Sequence, residues 1–167
     1  MIKIFHRIKW FLGLVLLQVL VFNQMHIGGY ATPFFYIYFI LKFNSRIKRN
    51  ELVLWGFILG LVVDVFSNTP GLNSSVATCL AFFRSPIIRL VTLRDMDEGF
   101  RPGVQSMGFS SFFRYSLLSC GLFCTLFFLI DTFSFYDIMS LCLKIVTSTM
   151  STLFCICCAE SLGRKKG

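Results

Sequence analysis

Charge is scarce in this sequence. Only 14% of the side chains are charged, and 8 acidic residues stand against 16 basic ones. A water-soluble domain carries about a quarter charged residues, so an ordinary soluble fold is excluded. Histidine is nearly missing too, with 2 in the chain, His6 and His26. No His-Glu-x-x-His pair, no Gly-x-Ser-x-Gly turn and no Walker-type phosphate loop occurs. Hydrolytic and nucleotide-driven chemistry thus have no motif to rest on. The chain is expected to be non-enzymatic, with no catalytic residue, cofactor or metal.

What is abundant is apolar. Hydrophobic residues make up 56%, mean hydropathy is +0.74, and 21 of 167 residues are phenylalanine. That is more apolar bulk than a small soluble core can hide, and it predicts a single all-α integral membrane domain over 1–167. The apolar runs separate into six segments near 9–25, 28–43, 51–67, 72–92, 109–130 and 138–159. Each is near the length needed to cross about 30 Å of hydrocarbon. The second is short and carries Pro33 near its start. The expectation is a six-transmembrane-helix bundle.

The net charge of +8 suggests nucleic acid only until its distribution is read. Lys3, Arg7 and Lys9 precede the first segment, and Lys42, Arg46, Lys48 and Arg49 separate the second from the third. Arg89, Arg94 and Arg101 lie around the fourth-to-fifth connection, and Arg164, Lys165 and Lys166 follow the sixth segment. The alternate connections near 26–29, 68–71 and 131–137 contain neither Lys nor Arg. This asymmetry predicts both termini in the cytoplasm, and the two histidines on opposite faces. The lipid bilayer replaces nucleic acid as the expected partner. No small-x-small site follows the first apolar run, where Asn23-Gln24-Met25-His26 is bulky and polar, so that run is expected to stay as a helix.

The 7 cysteines (Cys79, Cys120, Cys124, Cys142, Cys155, Cys157, Cys158) all fall inside predicted spans. Cys155 and Cys158 have C-x-x-C spacing, but no second pair completes a zinc site. Packing is the expected role.

Charges inside apolar segments are more telling. Gly56, Gly60 and Asp64 recur at every fourth position, sharing one helical stripe that drifts by about 40° per step. Glycines there admit a close backbone, and the carboxylate then faces protein instead of lipid. The turn Ser67-Asn68-Thr69-Pro70-Gly71-Leu72 follows at once. On the next segment Arg84 lies about 10 Å deeper than Asp64, with both side chains leaning so as to narrow that gap. Two arrangements remain open. Asp64 pairs with Arg84, directly or through water, or Asp64 accepts from Ser74, Ser75 or Thr78 while Arg84 meets a carbonyl freed by Pro86. Lys144 lies two turns from Asp137, and Arg114 is placed to snorkel toward the cytoplasmic headgroups.

Phe34, Phe35, Tyr36, Tyr38 and Phe39 form an aromatic run on the second segment, either a lipid-facing belt or a docking face. Asn23 through Pro33 is polar and rich in turn formers. The stretch from Arg94 to Pro102 is the mixed-charge segment, read as a solvated loop.

The pattern Gly56-x-x-x-Gly60-x-x-x-Asp64, then Ser67, Pro70-Gly71-Leu72 and a polar-topped helix, resembles the rod shape-determining protein MreD family. Gln18, Asn23, Gly29 and Pro33, leading into Phe35-Tyr36-Ile37-Tyr38, also resemble that family's first hairpin. The resemblance covers about residues 14–92; beyond it only length, number of spans and the basic C-terminal end agree. It implies a fold similar to the substrate-binding subunits of energy-coupling-factor transporters. It also implies a non-enzymatic place in the bacterial inner membrane, in the cell-elongation machinery. The implied partner is MreC, a single-span periplasmic protein, and through it MreB, RodA and its penicillin-binding partner. The Gly56/Gly60/Asp64 stripe and the aromatics Phe35, Tyr36 and Tyr38 become candidate packing or docking surfaces. On the docking reading, Gly60→Leu weakens co-purification with MreC at unchanged membrane level. The competing class is a vitamin-type substrate-binding subunit of a transporter, with Asp64, Asn68, Asn73, Ser74, Ser75 and Thr78 as its outer polar cluster and Arg84 below them.

Overall fold

The computed structural model describes residues 2–22, 32–92, 100–132 and 138–164. Among these, every regular element is helical: α1 Ile2–Leu17, continued by a π-helical turn Gln18–Phe22, α2 Ile37–Leu41, α3 Arg49–Ser67, α4 Leu72–Val91, α5 Val104–Met107, α6 Phe109–Asp131 and α7 Ile138–Arg164. Among the described residues, four helices are long and apolar enough to cross a membrane, over Arg49–Ser67, Leu72–Val91, Phe109–Asp131 and Ile138–Ser161. Their outward residues, such as Leu54, Val65, Phe83, Met139 and Phe154, are exposed hydrophobics, as a lipid-facing surface requires.

The turn between α3 and α4 follows from its residues. Asn68 takes a left-handed conformation with φ 54°, which Asn tolerates, and its N–H donates to the Asp64 carbonyl. Gly71 follows at φ 84°, where a Cβ would be strained. Two left-handed residues so close together reverse the chain, and α4 returns against α3. Packing then runs in a row, α3 on α4, α4 on α6 and α6 on α7, with α1 against α3.

The segment expected as a second spanning helix over 28–43 is corrected. Residues 28–31 lie outside the described residues; 32–36 are non-helical, and α2 covers only Ile37–Leu41. Pro33 offers no N–H and biases Thr32 away from helix, while the amides of Phe34 and Phe35, which follow it, are taken by side chains of other elements. Backbone left open inside an apolar bundle must find partners from side chains. Gln18 supplies two of them, donating to the Pro33 carbonyl at 3.0 Å and accepting from the Phe35 N–H at 2.8 Å. The Phe34 N–H donates to Thr152 Oγ1 and the Thr32 N–H to Ser148 Oγ, both at 3.1 Å. The segment therefore runs along α7, from Ser148 to Glu160 at the Tyr38 and Lys42 end, over about 18 Å of helix axis.

Its side chains fill the centre of the bundle. Phe34 packs on Phe127 and Phe123 with ring centroids 4.5 and 5.2 Å apart. Phe39 meets Phe11 at 5.6 Å and Trp55 at 6.1 Å. Tyr36, Ile37 and Ile40 have no exposed surface at all. The aromatic run is buried core, so it is a packing surface, and neither a lipid belt nor an exposed docking face.

Candidate functional site

Asp64 lies in the last turn of α3, 5% exposed, facing the start of α4. The glycines of its stripe explain how α4 comes so close. A Cβ on Gly60 would lie 2.4 Å from the Ser74 Cα and 2.5 Å from the Asn73 carbonyl oxygen. On Gly56 it would lie 3.0 Å from both the Ala77 carbonyl oxygen and the Ala81 Cβ. Only the bare backbone fits at Gly60.

That approach delivers the α4 N-terminus to the carboxylate. Asp64 Oδ1 accepts from the Asn73 N–H at 2.8 Å, Asn73 Nδ2 at 3.1 Å and Thr69 Oγ1 at 3.0 Å; Oδ2 accepts from the Ser74 N–H at 2.9 Å. The residue at the N-cap position of α4 is Gly71, which has no side chain to cap with. Asp64 performs that task from the preceding helix. Its negative charge faces the positive end of α4, the favourable sense of the helix dipole. Tyr36 Oη extends the cluster by donating to Asn73 Oδ1 at 2.8 Å, so α3, α4 and the 32–43 segment share one hydrogen-bonded knot. Pro70 and Gly71 are exposed at its outer edge.

Arg84 is 1% exposed and holds a separate knot. Nε donates to Tyr115 Oη at 3.1 Å, and Nη2 donates to the Leu41 carbonyl at 3.3 Å and to the Phe43 carbonyl. These are carbonyls at the end of α2, the negative end of a helix, so a guanidinium suits them. Arg84 and Asp64 thus have different partners, and Arg84 does not serve a carbonyl freed by Pro86. Ser75 and Thr78 turn back to the Gly71 and Ser74 carbonyls of their own helix instead of reaching Asp64.

A third knot closes the opposite end. Glu160 Oε2 accepts from Tyr38 Oη at 2.7 Å and Lys42 Nζ at 2.6 Å, and Oε1 accepts from Lys42 Nζ at 2.7 Å and the Val104 N–H at 3.1 Å. The sequence reading missed Glu160, and also Gln18, Tyr115, Ser148 and Thr152 as backbone or side-chain partners. Pro33 was the available signal for Gln18, because a proline within an apolar run demands a side-chain partner somewhere. His26, Arg94 and Asp137, with residues 23–31 and 94–99 of the two connections, lie outside the described residues.

Cys79, Cys142 and Cys158 are exposed, Cys120 and Cys124 buried, and no metal-binding group forms among the described residues. Chemically, the three knots can hold helices in place; each places its charge on donors or acceptors of the same chain. Comparison with protein-family models, with curated proteins and with solved structures gives no match.

Proposed function

We propose that this chain is a non-enzymatic scaffold of the bacterial inner membrane, belonging to the cell-elongation machinery as an MreD-like component. In this reading the four long helices are joined by α1 as a fifth crossing. The segment near 28–43, non-helical over 32–36, belongs to the sixth, with both termini in the cytoplasm and an arrangement similar to energy-coupling-factor substrate-binding subunits. The partner is MreC, and through it MreB, RodA and its penicillin-binding partner.

The observation that carries the reading is the closure of the Asp64 knot. Both carboxylate oxygens are engaged by Thr69, Asn73 and Ser74 of the same chain, and Asn73 is engaged in turn by Tyr36. A binding pocket presents converging polar groups to a ligand; a scaffold uses them to fix its own helices. This favours the scaffold over the vitamin-binding alternative, whose outer cluster would comprise these same groups. It also moves the MreC surface away from the glycine seam, which α4 covers, to the exposed apolar faces of the bundle. Gly60→Leu is now expected to lower the membrane level of the protein itself.

The test is a detergent pull-down of the tagged full chain with mass spectrometry. Recovery of a single-span periplasmic protein together with wall synthases is the expected result. Recovery of a paired ATPase, or a melting temperature raised by a vitamin, would replace the scaffold with a transporter subunit.

A further inference from the structure

At the end of the bundle opposite Asp64, the start of α3 and the end of α4 stand side by side because the Asn68–Gly71 turn makes these helices antiparallel. Four cations gather there: Arg46 and Lys48 on the approach to α3, Arg49 at its first residue, and Arg89 in the last turn of α4. All four are exposed, and Glu51 is the acidic residue in the same first turn of α3, so the rim stays net positive. Their placement is fixed by the fold. Asn44 Oδ1 accepts from the Arg46 N–H at 3.0 Å, and the Ser45 N–H donates to the Phe100 carbonyl at 2.9 Å, which pins the turn bearing Arg46.

Arg49, though exposed, turns onto the bundle surface. Its guanidinium lies over the Phe82 ring, 4.7 Å from the centroid. Phe82 is 45% exposed and belongs to the outward apolar surface with Phe83 and Leu90, at 45% and 73%. Phe82 and Arg89 are two turns apart on α4 and so share a face. Positive groups and acyl-facing aromatics are therefore interleaved on one strip. Stacking on an aromatic leaves the guanidinium edge free to donate. An acidic protein segment would satisfy the charge alone; a phospholipid satisfies both halves, with its phosphate on the cations and its chains along Phe82 and Phe83.

We infer that the α3–α4 rim formed by Arg46, Lys48, Arg49 and Arg89 is a binding site for the phosphate headgroup of an anionic phospholipid. This requires only that the chain is a membrane protein and stands apart from the choice of partner protein. A cluster of this size beside a spanning helix is the arrangement that anionic leaflets attract. Arg49 and Arg89 provide forked donors, and Arg46 and Lys48 supply field.

The test uses full-length protein purified in detergent, delipidated, and offered phosphatidylglycerol or phosphatidylcholine, with retained lipid counted by native mass spectrometry. Wild type is expected to retain phosphatidylglycerol preferentially and to release it as salt is raised. Arg49→Ala with Arg89→Ala is expected to weaken retention by about 30-fold, roughly fivefold for each charge removed. Excess inorganic phosphate is expected to compete poorly, because it lacks chains for Phe82. Should the double variant fail to fold, Arg89→Gln alone is read in the same assay, with about a fivefold loss expected. Equal retention of the two lipids by wild type would overturn the inference, as would unchanged retention by a folded variant. So would full displacement by inorganic phosphate.

Discussion

Replacing Gly60 with alanine adds one methyl group at the tightest point of the α3–α4 seam. Its carbon would lie 2.4 Å from the Ser74 Cα and 2.6 Å from the Ser74 nitrogen, both backbone atoms that cannot rotate away. Ordinary contact begins near 3.4 Å, so the helices must part by about 1 Å at this level. Helix propensity works in the opposite direction, since alanine is better than glycine by about 1 kcal/mol. Against that gain stand overpacking strain of about 1–3 kcal/mol and weakened charge-assisted bonds to Asp64, about 1.5–3 kcal/mol each if lost. The net is a destabilisation of roughly 2–4 kcal/mol, or a melting temperature lower by about 5–15 °C. Gly121 is the control, because a Cβ there meets nothing within 4 Å. Gly121→Ala should be neutral or slightly stabilising, and Gly56→Ala should fall between the two. The assay is thermal unfolding of purified protein in detergent, followed by size-exclusion recovery. Equal melting of Gly60→Ala and Gly121→Ala would refute the seam.

The other knots give their own outcomes. Arg84→Lys keeps a charge but not the fork that spans Tyr115 and the Leu41 and Phe43 carbonyls, so it should cost about 2–3 kcal/mol in the same melting assay; Tyr115→Phe, losing one neutral hydroxyl, should cost only about 1 kcal/mol. Gln18→Leu should accelerate hydrogen exchange at the amides of Phe35 and Tyr36, leaving exchange in α6 unchanged. Glu160→Gln breaks an ion pair whose Lys42 side is 36% exposed, so the stability loss should stay below about 1 kcal/mol. Because Glu160 Oε1 also holds the Val104 N–H, hydrogen exchange at the Val104 amide should become faster in that variant.

How much of this was legible in the sequence depends on the range of each interaction. The Gly56/Gly60/Asp64 stripe is a property of one helix, and small and acidic residues at every fourth position report it directly. The Asn68–Gly71 turn is equally local. Arg84 is visible as a buried charge, but two of its partners are the Leu41 and Phe43 carbonyls, which have no residue signature, and the third, Tyr115, lies on a distant helix. The 28–43 segment is not legible as irregular because its apolar composition imitates a spanning helix. What keeps it irregular is Pro33, together with amide and hydroxyl partners on α1 and α7 that only the folded chain brings near. Glu160 reads in sequence as an acid at the end of a helix, and its engagement with Lys42, Tyr38 and Val104 is wholly tertiary.

The most direct measurement is a pair of double-mutant cycles on folding stability, one joining Asp64 with Asn73 and the other Asp64 with Arg84, each residue replaced by alanine. If the buried charges belong to separate internal knots, Asp64 and Asn73 should couple by about 1 kcal/mol or more, while Asp64 and Arg84 add within about 0.5 kcal/mol. Strong coupling of Asp64 to Arg84, with none to Asn73, would contradict the account.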